Sequence, residues 1–91
     1  MNEIYLDHAS TTYTNPEVLK AMLPYFSETY GNSESRHSQG QQSRIALDQA
    51  RESVAKIFNC KASEVIFTGS ATEANNLAIL GIARANKEKG L

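Results

Sequence analysis

Residues 63–80, "SEVIFTGSATEANNLAIL", run from β-branched and aromatic residues through a glycine into a helical pattern. The first six letters are the best strand candidate in the chain. A strand leaves unpaired backbone donors and acceptors unless neighbours flank it. The chain offers one other short apolar run, Ile4–Leu6, and an isolated two-stranded pair is marginal in water. The helical pattern that follows puts Ala74, Leu77, Ala78, Gly81, Ile82 and Ala85 on one face, rich in small residues that let a helix lie close to a neighbour. That face suits a sheet the chain does not contain. The expected fold class is therefore α/β: the opening portion of a larger domain, mostly helical within these 91 residues, with about three helices and one or two short strands. A small helical domain with one extended segment is the alternative.

Composition narrows the function classes. Nine Lys+Arg stand against ten Asp+Glu, scattered rather than clustered, so nothing argues for nucleic acid. No apolar run approaches the ~20 residues of a membrane span. The N-terminus carries acidic residues early and has no apolar signal core. The single cysteine, Cys60, excludes an intramolecular disulfide framework and a cysteine-rich metal site. A cytoplasmic location is the expectation.

The remaining elements follow from caps and spacing. Asn15-Pro16 is a helix start, followed by Val18, Leu19, Met22, Leu23 and Phe26 at helical steps, with Pro24 expected to kink or shorten that helix. Gly31-Asn32 should end the segment. Residues 30–44 are the most polar stretch and read as a loop leading into a helix. "SQGQ", Ser38 to Gln41, fits a capping box there. Leu47, Ala50, Val54, Ile57 and Phe58 then share a face, opposite Arg44, Asp48, Arg51, Glu52 and Lys56, to an end near Asn59. The last helix closes with Lys87 and Lys89 in its final turn and Gly90 beyond.

"SATE", Ser70 to Glu73, supports two compatible readings. As a capping box, the Ser70 hydroxyl accepts from the Glu73 N–H and the Glu73 carboxylate returns to the Ser70 N–H. As an anion seat, the first-turn N–H groups lack intrahelical acceptors, the helix dipole adds partial positive charge, and the hydroxyls of Ser70 and Thr72 are extra donors. There is no G-x-G-x-x-G and no Gly-Lys-Ser/Thr ending, so a phosphate here would sit in a shorter cup than nucleotide folds use. The Glu73 charge opposes an anion unless it points away.

With those residues in view, "FTGSATEANNLAILG" closely resembles the "FTSGATEANNLAIKG" segment of cysteine desulfurases, pyridoxal-phosphate enzymes of the class V aminotransferase superfamily. "IYLDHASTTYTNPEVLKAMLPYF" resembles their "YLDNAATT…PEV…AMLPYF". "YGNSESRHSQGQQSRIALDQARESVA" resembles "FGNPSSxHxxGxxAxxALExAR", and "ASEVIFT" sits where the family has "xxEIIFT". The match is collinear over almost all of residues 4–82. "EANN" favours the branch serving nitrogen fixation and housekeeping iron–sulfur assembly. Three positions depart from the pattern: the family's Ser-Gly is Gly69-Ser70, its common Asn is His8, and the Pro of "GNPSS" is Ser33.

The resemblance implies the N-terminal part of the large domain of a fold type I pyridoxal-phosphate transferase, with residues 1–91 an incomplete segment of it. It implies sulfur transfer from L-cysteine, leaving L-alanine, with the sulfur held as a persulfide for iron–sulfur scaffold or other acceptor proteins, in a homodimer. It also implies that Ala71 and Thr72 contact the cofactor phosphate through backbone N–H and hydroxyl. The family's cofactor-bearing lysine, ring-stacking histidine, pyridine-pairing aspartate and active cysteine match no position up to Leu91. No catalytic residue is therefore expected in this segment, and it should not catalyse alone. Lys20, Lys56, Lys61, Lys87 and Lys89 read as solvated lysines. Cys60 reads as a small, partly buried residue, and His37 as a polar loop residue in a segment the family places near the dimer interface and active-site mouth. Neither histidine has partners at metal-ligand spacing. The rival reading from another class is a stand-alone helical interaction or dimerisation module without activity, and a weaker third is a small phosphate binder using Ser70–Thr72.

Overall fold

The computed structural model describes residues 2–90. Its helices are α1 (Pro16–Met22), α2 (Pro24–Ser27), α3 (Ser38–Phe58) and α4 (Ala71–Ala85), with single 3-10 turns at Ala62–Glu64 and Lys87–Lys89. The chain divides into two compact units between Ala50 and Arg51, and α3 contributes residues to both.

In the first unit, Asn15 caps α1 as its sequence predicts: Oδ1 accepts from the Glu17 N–H at 2.8 Å, and Pro16 occupies the first helical position. Pro24 breaks what would be one helix into α1 and α2, because its ring nitrogen has no hydrogen to donate. Leu23, between them, keeps helical dihedrals. The three expected helices are thus present, the first of them kinked.

The loop before α3 is held by close backbone approach. A Cβ on Gly40 would lie 2.3 Å from the Ser35 carbonyl oxygen and 2.7 Å from that of Asn32; a Cβ on Gly31 would lie 2.6 Å from the Gln39 carbonyl group. Only a residue without a side chain fits either place. Asn32 shapes the turn, its Oδ1 accepting from the Glu34 N–H at 2.9 Å and its carbonyl from the Ser35 N–H at 2.9 Å. The helix opens at Ser38, but its cap is His37 and not the expected "SQGQ" box. The His37 Nδ1 accepts from the Gly40 N–H at 3.2 Å, and the His37 carbonyl takes the first intrahelical bond, from the Gln41 N–H at 3.0 Å. The imidazole reaches the third helical N–H as a shorter cap side chain would.

In the second unit, α3 ends in a Schellman motif. Asn59 adopts left-handed dihedrals (φ 53°), the Cys60 N–H bonds the Ala55 carbonyl at 3.0 Å, and the Asn59 N–H bonds the Lys56 carbonyl at 3.3 Å. Ala55, 4% exposed, lies beneath this end. The Glu64 carboxylate accepts from the Lys61 N–H at 2.7 Å and starts the 3-10 turn. The chain then runs extended through Val65–Phe67 and turns into α4.

The expected strands do not form among the described residues. Ile4–Leu6 and Val65–Phe67 lie outside any ladder, because neither has a flanking strand to accept its backbone hydrogen bonds. The expected apolar faces are there but uncovered. Ile57 and Phe58 on α3 are 79% and 74% exposed, and Ile82 on α4 is 60% exposed. Burial of such a side chain contributes about 1.5–3 kcal/mol, stabilisation that these exposed faces do not supply.

Candidate functional site

The site is built where the extended segment meets α4. Ser70 has extended dihedrals (φ −164°, ψ 164°), and its hydroxyl accepts from the Glu73 N–H at 3.1 Å. The Thr68 hydroxyl donates to the Ser70 carbonyl at 3.0 Å and closes the turn. Half of the expected capping box is present. The other half moves by one residue: Glu73 Oε2 accepts from the Gly69 N–H at 2.9 Å and not from Ser70. Gly69 does not have a positive φ, so the Gly-Ser order is not demanded by backbone dihedrals. What it supplies is room, since a Cβ at Gly69 would lie 3.3 Å from Glu73 Oε2, and a hydroxyl at the one position that reaches the Glu73 amide.

Ala71 and Thr72 follow as the first two helical residues, both exposed. Their N–H groups have no intrahelical acceptor. Asn76 Nδ2 donates to the Thr72 carbonyl at 2.8 Å, while the Thr72 hydroxyl has no partner among the described residues. Two amides and one hydroxyl thus stand ready for an acceptor. Magnitudes decide what they can hold. The helix end favours an anion by about 0.3–1 kcal/mol. Repulsion from a carboxylate ~4 Å away costs about 1 kcal/mol per unit charge in water. A carboxylate at that distance would cancel most of the dipole's advantage, so these groups by themselves favour an anion only weakly.

A second contact fixes the same segment from the other side. Arg51 Nε donates to the Val65 carbonyl at 3.2 Å, and its guanidinium carbon lies 5.2 Å from the centre of the Phe67 ring. A bond from a charged donor is worth about 1.5–3 kcal/mol, and the cation–ring contact about 0.5–1 more. The helical pattern places Arg51 opposite the apolar face of α3; it is half-buried. The expected α4 face does line a groove of about 430 Å³, where Ala74, Leu77, Ala78, Gly81 and Ile82 meet Ile66.

The other candidates each have local surroundings of their own. Cys60 is an exposed free thiol, not the partly buried residue expected, because the Schellman turn carries it past the helix end. His8 Nδ1 lies 2.7 Å from the Thr12 hydroxyl and its ring meets Tyr5 edge-on at 4.7 Å. His37 is engaged as a cap. Lys20, Lys56, Lys61, Lys87 and Lys89 are all exposed. Among the described residues no group of three His, Cys, Asp or Glu side chains could hold a metal ion, and no helix is long and apolar enough to cross a membrane.

Comparison with known proteins extends this local picture. The family model for aminotransferase class-V matches residues 4–91. A cysteine desulfurase IscS of Clostridium botulinum is 48% identical over 88 residues, covering 97% of this chain and 22% of that protein. A putative cysteine desulfurase, IscS 1 of Bacillus subtilis, is 47% identical over 90 residues, covering 99% of this chain and 24% of that one. Among solved structures, a NifS-like protein superposes with a TM-score of 0.87 at 34% identity, over 93% of this chain and 23% of its own. The chain spans about a fifth to a quarter of the length of these relatives.

Proposed function

The chain belongs to the class-V aminotransferase family, and from that premise we propose that it forms the N-terminal segment, within an incomplete domain over residues 1–91, of a pyridoxal-phosphate-dependent cysteine desulfurase. The observation that carries the reading is the α4 N-terminus, where Ala71 and Thr72 offer amides and an unpartnered hydroxyl at a turn fed by an extended segment. This donor set fits one side of a phosphate group. Ala71 and Thr72 would hold the cofactor phosphate, and Ser70 and Glu73 keep the turn in shape. When bound, pyridoxal phosphate supplies an electron sink for the bond broken at the substrate. In this reading the substrate is L-cysteine, the product is L-alanine, and the sulfur passes to iron–sulfur scaffold or other acceptor proteins. The enzyme is a cytoplasmic homodimer. Ala71 and Thr72 bind and orient, and the reacting groups belong to parts of the enzyme outside these residues.

The reading is tested on the product of the native gene by titrating pyridoxal phosphate. Thr72→Val should weaken binding about tenfold, the equivalent of one charge-assisted bond, and Thr72→Ser should restore it. Equal affinity in wild type and Thr72→Val would remove Thr72 from the site. Separately, the 91-residue chain mixed with pyridoxal phosphate and L-cysteine should release no alanine; measurable release would overturn the assignment of catalysis to other parts.

A further inference from the structure

Arg51 holds the extended segment that leads into the residues assigned to the phosphate. Alternate residues of an extended chain face opposite ways. Ile66 lines the α4 groove, while the Val65 carbonyl and the Phe67 ring are taken by Arg51. The segment has no sheet partner among the described residues, so the guanidinium does what a neighbouring strand would do. Two residues, Thr68 and Gly69, separate Phe67 from the Ser70 cap, and both are tied into the turn by hydrogen bonds to Ser70 and Glu73. A displacement at Val65–Phe67 therefore passes to the seat with little slack to absorb it.

We propose that Arg51 is a positioning residue for the cofactor phosphate, acting through the Val65 carbonyl and the Phe67 ring to fix the turn at Gly69–Thr72. The inference rests on the reading of the α4 N-terminus as the phosphate seat. Its chemistry is separable from simple charge. In Arg51→Gln the side-chain amide nitrogen occupies the same place along the side chain as Arg Nε, so the donor to Val65 survives without the charge. In Arg51→Lys the charge survives, but no donor remains at that place.

The test compares wild type, Arg51→Ala, Arg51→Gln and Arg51→Lys in the product of the native gene. Pyridoxal phosphate affinity is read by titration, and amide hydrogen exchange over residues 65–72 is read in the cofactor-free protein. Arg51→Ala and Arg51→Lys should bind about tenfold more weakly, and Arg51→Gln, which keeps the donor to Val65 but loses the cation over Phe67, about threefold. Exchange at residues 65–72 should quicken in the same order. Restoration by lysine and not by glutamine would overturn the proposal in favour of long-range charge attraction. Wild-type affinity in Arg51→Ala would overturn it outright. Should the alanine variant fail to fold, the contrast between glutamine and lysine still decides. A wild-type protein that binds no pyridoxal phosphate sinks the seat itself; an unchanged affinity across the series with normal wild-type binding sinks only the role of Arg51.

Discussion

The loop before α3 and the middle of α4 use glycine in opposite ways. At Gly40 the missing side chain lets a carbonyl of the loop touch helix backbone, where a Cβ would stand 2.3 Å from an oxygen. At Gly81 it leaves an opening, with nothing within 4 Å of where a Cβ would be. The first glycine is complementary to structure already present. The second faces open space among the described residues. Residues 31–40 pack backbone against backbone, and the α4 face lies exposed.

The contrast breaks most easily at its tight end. Gly40→Ala should cost about 3 kcal/mol, since backbone rather than a flexible side chain must give way, and thermal unfolding followed by circular dichroism should show it. An unchanged melting temperature would mean that the loop is not seated on α3. The middle of the range is the cap. Ser70→Ala should cost about 1 kcal/mol and Ser70→Gly only a few tenths, read from hydrogen exchange at the Glu73 amide; equal protection in Ser70→Ala would deny the hydroxyl its role. The smallest effect has the opposite sign. Gly81→Ala should stabilise the helix of the 91-residue chain by about 0.5–1 kcal/mol, seen as added helix content. A loss there would show that the groove is closely covered, and the distinction between the two glycines would collapse.

Local rules carried most of what could be read in advance. Asn15-Pro16, the Pro24 break, the Ser70 hydroxyl, the Asn59 end and the apolar face of α4 all depend on residues within a few positions, and each stands where its letters put it. The strands failed for a reason outside the segment: extended backbone becomes a strand only when another chain pairs with it. The His37 cap was illegible because imidazole is an uncommon cap acceptor, and serine and glutamine stood nearby to claim the role. Arg51 was missed because helical periodicity sorts residues by face and says nothing of a carbonyl fourteen residues on. The family came through on collinear motifs, which carry information from beyond the physics of any single element, and the match over residues 4–91 bears it out.

The link from Arg51 to Val65 closes a short loop. Loops of about ten residues close in roughly 10–100 ns, and contacts near in sequence form ahead of distant ones. The turn at Gly69–Thr72 is thus wired by its own neighbourhood, through α3, the 3-10 turn and the start of α4, and not by the long-range apolar surfaces that remain bare. In temporal terms, the turn at the start of α4 can take its shape ahead of any contact made by those surfaces, so its geometry is settled close to home.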